Sequence, residues 1–208
     1  MAELIAPTTR LHANWLEAHK EWGPGSHEDG FGLTPGDEVD SPAGFAAWIS
    51  RLAAEEAPSH PAEAGALAFR YRWIVEDGRV LGGIVLRYGV HGFVPYFGHI
   101  GYGIRPSARR RGLAAWALGR MLDEARTVGL DRVLVACAVD NIASVRTIEG
   151  RGGVLESVQD TKFGAVRRYW IGLQGDPAPV ARPSAGVSSR TTGSCRRTPT
   201  AGPTRPAG

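Results

Sequence analysis

The chain has few cysteines, and the two it has are far apart. Cys137 lies in an apolar segment, whereas Cys195 lies in a polar one. A disulfide framework or a zinc site requires more partners at closer spacing, so the sequence predicts neither. We interpret Cys137 as a small core residue, and we expect no bound metal ion.

Long apolar runs and a secretion signal are also missing. No stretch approaches the roughly 18 consecutive apolar residues that a membrane-spanning helix requires. The N-terminal residues Met-Ala-Glu-Leu-Ile lack the basic segment followed by an apolar one that marks a signal peptide. We therefore expect a cytoplasmic protein without a membrane partner.

An excess of positive charge is missing from most of the chain, although the formal net charge is +3. Residues 175–208 contain five arginines and one aspartate, while residues 1–174 contain 19 basic and 20 acidic residues. This distribution argues against nucleic acid binding by residues 1–174. Residues 175–208 have no aromatic side chain and are rich in Pro, Ser, Thr and Arg, which predicts a disordered tail. The alternative is that its arginines contact a nucleic acid or an acidic partner.

The apolar content of 43% is sufficient for one domain with a core over residues 1–174. Alternation and helical spacing predict the element order β-α-α-β-β-β-α-β-α-β-β. This order predicts an α/β (α+β) fold, in which a mixed sheet carries helices on both faces. The predicted strands are Glu3–Ala6, Phe69–Glu76, Arg79–Tyr88, Gly98–Ile104, Val133–Ala138, Val154–Val158 and Val166–Leu173.

The predicted helices cover about residues 11–22, 42–56, 112–128 and 141–150, which are marked by apolar spacing and by cap residues. Ser41 is the expected N-cap of the second helix. Residues 23–44 are rich in Gly, Pro, Asp and Ser. We interpret them as a long connection and as a candidate substrate loop.

The segment from Ile104 to Ala114 has the features of an anion-binding turn. Ile104-Arg105-Pro106 ends a strand, and Arg109-Arg110-Arg111-Gly112-Leu113-Ala114 opens a helix. The first amide groups of a helix have no intrahelical partner, and the helix dipole makes that end electropositive. Gly112 lets a phosphate approach the backbone, and the three arginines add positive charge. These residues predict a pyrophosphate-binding turn; the alternative is a solvated helix start beside a turn glycine.

This pattern, Arg-x-x-Gly-x-Ala after Ile-x-Pro, resembles the acetyl-CoA signature of the GNAT superfamily of N-acetyltransferases. The likeness extends over about residues 65–173 and includes the element order. A second match lies downstream, where Asn141 follows a strand and Ser144 comes three residues later. Two further segments resemble a bacterial subgroup of predicted acetyltransferases: Gly98–Tyr102 and Arg168–Ile171.

The resemblance implies how acetyl-CoA would bind. The fourth predicted strand would splay from the fifth, and the pantetheine arm would contact the backbone of Gly103 and Ile104 as well as Asn141. A backbone amide there would polarise the thioester carbonyl, and a neutral amine would attack it directly. The acceptor would be a small-molecule or peptide amine, and homodimers are common in such families. The residues expected to bind the cofactor's pyrophosphate are Arg109, Arg110, Arg111, Gly112, Leu113 and Ala114.

Two positions depart from the family pattern. Many members have a tyrosine seven residues after the asparagine as the acid for the thiolate, and some have a glutamate five residues before it as the base. Here these positions are Ile148 and Ala136. Proton transfer must then use other residues or water. The alternative function is a non-catalytic acyl-CoA-binding or regulatory module.

Three residues are candidates for a catalytic role: His99, Tyr102 and Ser144. His99 has a side chain whose ordinary pKa suits a base near neutral pH, although a lone histidine in a strand is commonly structural. Tyr102 lies near the expected thioester, with core packing as the alternative. Ser144 and Asn141 can each act as local helix caps instead. Less favoured bases are Glu76, Asp140 and Glu149, and the aromatic residues considered for an acceptor site are Trp15, Trp22, Trp48, Tyr96 and Phe97.

Overall fold

A mixed sheet of seven strands organises the part of the chain that the structure describes. The structure is a computed structural model, and it describes residues 1–23, 30–56, 67–89, 98–162 and 164–174. The strands are β1 (Glu3–Ile5), β2 (Leu67–Glu76), β3 (Arg79–Gly89), β4 (Ile100–Ile104), β5 (Arg132–Ala138), β6 (Val154–Thr161) and β7 (Gly164–Gly172). Their spatial order is β1-β2-β3-β4-β5-β7-β6. Every neighbouring pair is antiparallel except β4 and β5, which are parallel.

Four α-helices lie within the described ranges. They are α1 (His12–Trp22), α2 (Pro42–Glu55), α3 (Leu113–Thr127) and α4 (Ile142–Glu149). The predicted cap of α2 is confirmed, since the Ser41 hydroxyl accepts the amide hydrogen of Gly44 at 3.1 Å. None of the described helices is both long and apolar enough to cross a bilayer.

The predicted element order and the mixed sheet with helices on both faces are confirmed. The largest shift in a strand boundary concerns β6, which continues to Thr161, and the starts of β2, β4 and β7 each move by two residues, β4 beginning at Ile100. Gly98 has a φ of +73°, and this left-handed backbone interrupts the regular strand that was predicted to begin there. The predicted tail at 175–208, Tyr96, Phe97 and residues 24–29 of the candidate substrate loop lie outside the described residues.

Each face of the sheet has its own apolar core. On one face, α3 and α4 pack against β3, β4 and β5 through buried residues such as Met121, Ile148 and Ile84. On the other face, α1 and α2 pack through an aromatic cluster around Trp73, which is fully buried. Side chains of a strand alternate between faces, so β4 can contribute to one core while it leaves small residues toward the other.

The contact between β4 and β5 is confined to one end of β4. The two strands pair only at Ile100 and Val135, with an isolated bridge from Gly98 to the same valine. The His99 amide donates to the Leu134 carbonyl at 2.7 Å and fixes this end. Beyond it no further pairing joins the strands in the described residues. The expected splay between the fourth and fifth strands is therefore present, and it begins after Ile100.

We predict that Gly98→Ala destabilises the protein more than Gly78→Ala does. Both glycines have left-handed backbone, with φ of +73° and +75°, so both substitutions cost about 1–2 kcal/mol in strain. A Cβ at Gly98 would also lie 2.6 Å from the Leu134 carbonyl oxygen, whereas one at Gly78 meets nothing within 4 Å. Overpacking of this kind adds about 1–3 kcal/mol. Urea unfolding of both variants measures the difference, and equal losses would contradict this account of the β4–β5 junction.

Candidate functional site

The backbone of β4 presents alternate residues to its two neighbouring strands. The Arg87 amide donates to the His99 carbonyl at 2.7 Å, and the Arg105 amide donates to the Leu81 carbonyl at 2.9 Å. Antiparallel pairs alternate between hydrogen-bonded and non-bonded residues, so Gly103 directs its backbone groups toward β3. Those of Ile104 are turned toward β5. The edge of β4 that faces the splay is thus defined by the even-numbered residues.

This register sharpens the expectation for Gly103 and Ile104. Gly103 pairs with Gly83, and a Cβ on Gly82 would collide with the Gly103 carbonyl, which shows how closely β3 and β4 approach. The amide of Gly103 is therefore committed to the sheet side. Ile104 is the residue of the two whose backbone faces the gap between β4 and β5.

The turn after β4 contains two residues with left-handed backbone and ends at a helix start. Arg110 has a φ of +63° and Gly112 a φ of +76°, whereas Arg109 before them is extended. Gly112 is the N-cap of α3, where no side chain caps the helix and the first turn holds no acidic residue. The Trp116 amide begins the helical ladder on the Gly112 carbonyl at 2.9 Å. The amides of Leu113 and Ala114 precede that ladder, as predicted for the start of a helix.

The three arginines of the turn have different roles. Arg109 donates through Nε to the Ile104 carbonyl at 3.0 Å, which ties the turn to the end of β4. Arg111 forms an ion pair with Glu76 at 2.6 Å, and this bond is the largest cause of a lowered Glu76 pKa. Arg110 is exposed and makes no hydrogen bond or ion pair within the described ranges. Of the three arginine side chains, only that of Arg110 is therefore uncommitted in the described part of the chain. The positive charge expected to attract a ligand comes mainly from Arg110 and from the amides at the helix start.

Asn141 was predicted to contact the cofactor or to cap a helix, and in the structure it is the N-cap of α4. Its Oδ1 accepts the amide hydrogen of Ser144 at 3.1 Å. This bond occupies the carbonyl oxygen of the Asn141 side chain and leaves its NH₂ group pointing elsewhere as a donor. Ser144 enters the cap through its backbone, so its hydroxyl takes no part in that bond. Cap and ligand contact are compatible roles for Asn141.

His99 is held as a neutral structural residue. Its Nδ1 accepts the Leu134 amide hydrogen at 2.9 Å, so the ring proton must sit on Nε2. The His99 pKa is lowered to about 4, mainly by burial and in smaller part by the nearby Arg132. This pKa lies well below the ordinary value of 6.5 that would suit a base near neutral pH. Proton uptake at Nδ1 would also require the bond to Leu134 to break.

Three other positions considered for an acid or a base are engaged in the core or in a hydrogen bond. Tyr102 packs against the core beneath α3, in agreement with its alternative interpretation. Ile148 is fully buried in the same core, so a polar side chain there would have to leave it. Glu149 accepts a hydrogen bond from the Tyr169 hydroxyl at 3.2 Å. Among the described residues, no group of three or more His, Cys, Asp or Glu could hold a metal ion.

The aromatic residues divide as their spacing indicated. Trp15 and Trp48 are each 1% exposed and belong to the core of α1 and α2. Trp22 is only partly buried and meets Phe31 edge to face at a centroid distance of 5.7 Å. Phe31 in turn covers Gly83 of β3, which pairs with Gly103. This places Trp22 and Phe31 on the face of the sheet opposite α3.

Sequence reasoning missed the most buried charge near the turn. Arg105 is 3% exposed and forms ion pairs with Glu17 and Glu21 of α1. The partners lie 88 and 84 residues away in the chain, and no local pattern indicates such a contact. The one local signal is an arginine at the end of an apolar strand, because a buried guanidinium requires an acidic partner.

We predict that His99 stays neutral down to about pH 4 and makes stability depend on pH. The unfolded chain takes up this proton below its ordinary value of about 6.5, while the folded protein does not, so the free energy of unfolding falls as pH falls from 6.5 to 4. The pKa difference corresponds to about 3 kcal/mol. His99→Asn keeps an acceptor for the Leu134 amide and removes the titration. Denaturant unfolding of both proteins from pH 4 to 7.5 isolates this slope, and an NMR titration of the ring with a midpoint above 6 would refute it.

The comparison with known proteins agrees with this geometry. Residues 9–154 match the family model described as an acetyltransferase (GNAT) domain. No curated protein matches the sequence. Among solved structures, RimJ of Mycobacterium smegmatis in complex with CoA-disulfide superposes with a TM-score of 0.62 at 19% identity, over 82% of this chain and 81% of RimJ.

Two Salmonella typhimurium structures are also similar. YncA, solved with its cofactor acetyl-CoA, has a TM-score of 0.55 at 18% identity, over 87% of this chain and 99% of its own. The acetyl transferase that modifies the N-terminal serine of ribosomal protein L7/L12 has a TM-score of 0.58 at 15% identity, over 82% and 94% of the two chains. These identities show the fold alone, whereas the family match covers most of the sequence. The chain therefore belongs to the GNAT acetyltransferase family.

Proposed function

We propose that the protein is an N-acetyltransferase that moves the acetyl group of acetyl-CoA to an amine. The observation that carries the proposal is the divergence of β5 from β4, followed along the chain by a short link and an uncapped helix start, in a chain of this family. The divergence offers a backbone edge for an extended arm, and the helix start offers amides for a pyrophosphate. One ligand with both parts is acetyl-CoA.

The described residues suit each part of that ligand. The pyrophosphate would accept hydrogen bonds from the amides of the turn that ends in Gly112, Leu113 and Ala114, with Arg110 as the nearest uncommitted cation. The pantetheine arm would lie along the β5-facing edge of β4 at Ile104. Asn141 would reach the arm with its NH₂ group, since its Oδ1 is occupied by the Ser144 amide. Acetyl-CoA supplies the activated thioester.

The protein's contribution to the chemistry would be placement and stabilisation of charge. A backbone amide of β4 that faces the splay would donate to the thioester carbonyl oxygen as the amine nitrogen bonds to the carbonyl carbon. The carbon–sulfur bond then breaks, and the electron pair leaves with the sulfur. Ile148 and Ala136 supply no acid or base, and His99 is neutral with its lone pair engaged. The amine proton would therefore pass to water and the thiolate would leave unaided or be protonated by water.

None of the residues described above indicates which amine is the acceptor. One similar structure belongs to an enzyme that modifies a protein N-terminus, and another to MccE, a microcin C7 self-immunity acetyltransferase solved with acetyl-CoA and AMP. Peptide and small-molecule amines are therefore both proposed as acceptor classes. A homodimer stays a prediction from the family resemblance.

We predict acetyl transfer when the purified protein meets acetyl-CoA and a suitable amine. The assay follows thiol release from acetyl-CoA with a panel of peptides that have unblocked N-termini, together with small primary amines and aminoacyl nucleotides. Mass spectrometry of the acceptor confirms acetylation, because thiol release alone also reports hydrolysis. Tight binding of acetyl-CoA without transfer to any acceptor would favour the alternative, a non-catalytic acyl-CoA-binding module.

We predict that Gly112→Val weakens acetyl-CoA binding by about 100-fold, or about 2.7 kcal/mol, whereas Gly129→Val leaves it unchanged. Both glycines flank α3, have φ of +76° and +79°, and would place a Cβ in open space. Both variants therefore suffer similar backbone strain. Only the first places a side chain where the pyrophosphate would lie. Isothermal titration with acetyl-CoA measures both affinities, and equal affinities would remove the turn from the binding site.

A further inference from the structure

An ion-pair cluster around the buried Arg105 joins α1 to the segment between β4 and the turn that ends in Gly112. Arg105 follows β4 directly, and its side chain is 4% exposed. Its Nε donates to Glu21 Oε2 at 2.6 Å, one terminal nitrogen to Glu17 Oε1 at 2.8 Å, and the other to the Val80 carbonyl at 3.3 Å. A buried guanidinium is costly unless its donors are matched, so these partners fix its position.

Glu21 also holds the next residues of the same segment. Its Oε1 accepts the backbone amide hydrogen of Ser107, and its Oε2 accepts the Ser107 hydroxyl at 2.9 Å. Burial alone would raise the Glu21 pKa, but the bonds from Ser107 and Arg105 hold it below its usual value. Both carboxylate oxygens therefore act as acceptors, one toward the backbone of the segment and one toward its buried cation.

The segment is fixed from the opposite side as well. Ala108 is buried in the core under α3, one residue after Ser107 and one before Arg109. Residues 105–108 are the covalent link between the edge of β4 and the turn that ends in Gly112. A link fixed between the core and α1 sets the direction in which the amides of the turn point.

We propose that Glu21 is a positioning residue that orients the pyrophosphate-binding turn by holding residues 105–108 against α1. The inference rests on the proposed function, because it assigns Glu21 to the binding of acetyl-CoA. Glu21 itself touches neither the turn amides nor the edge of β4. It acts through Ser107 and Arg105, and its effect is therefore on affinity for the part of the ligand that the turn receives.

The test compares Glu21→Gln with Glu17→Gln. A glutamine at 21 replaces one acceptor oxygen with an NH₂ group, which then faces either the Ser107 amide or the Arg105 guanidinium, both of them donors. Glu17 uses one oxygen, Oε1, for Arg105 and for Arg79. A glutamine at 17 can place its carbonyl oxygen at the same point. The two variants thus remove equal charge beside Arg105, but only the first disturbs the link to the turn.

We expect Glu21→Gln to weaken acetyl-CoA binding about tenfold, and Glu17→Gln to weaken it by less than about threefold. Affinity for S-acetylpantetheine, which lacks the pyrophosphate, should be the same in wild type and in Glu21→Gln. Titration calorimetry for acetyl-CoA, competition for S-acetylpantetheine and melting temperatures without ligand provide the three readouts.

Each outcome has a defined meaning. A Glu21→Gln protein with a lowered melting temperature but wild-type affinity for acetyl-CoA would overturn the positioning role, since the contact would then be structural only. Equal losses in the two variants, or an equal loss for S-acetylpantetheine, would overturn it too. Wild-type protein that binds no acetyl-CoA would overturn the proposed function and the positioning role together. Binding by wild type with loss in Glu21→Gln alone supports both.

Discussion

The divergence of β5 from β4 is the constraint on which the site depends. Sheet strands normally continue to pair, because backbone amides and carbonyls need partners. Here Gly98 and His99 hold the strands together at one end of β4, and the pairing stops after Ile100. The remaining edge of β4 is followed by residues 105–108 and by the turn up to Gly112, after which α3 begins. The groups proposed to bind an extended ligand thus come from the backbone, and their positions depend on how the sheet is held at that one end.

Most of the arginine side chains near the turn form contacts within the protein that hold the turn in place. Arg105 is neutralised by α1, Arg109 reaches back to the Ile104 carbonyl, and Arg111 pairs with Glu76. These contacts connect the turn and the link before it to three separate elements: α1, β4 and the end of β2. The electropositive character offered to a ligand is then mainly that of oriented amides at the helix start, which lose no side-chain entropy when they bind.

The same packing explains why the familiar acid and base positions are apolar. Ile148 faces the core that α3 and α4 share with the sheet, and Ala136 lies on β5 opposite Arg168 of β7. His99, the histidine nearest to the splay in the described ranges, uses its lone pair to hold β5. In the proposed mechanism, backbone dipoles would therefore stabilise the developing charge, and water would carry the proton.

The sequence by itself determined the local features. Periodicity located the strands and helices, Ser41 and Asn141 were recognisable as caps, and Gly112 was recognisable as a glycine at the start of α3, because each of these depends on neighbours within a few residues. Tertiary structure alone decided the rest. The pKa of His99 depends on burial beside β5, the orientation of Gly103 depends on strand register, and Arg105 meets Glu17 and Glu21 across more than 80 residues. Burial, register and distant ion pairs are properties of the packed chain, and no local pattern of residues encodes them.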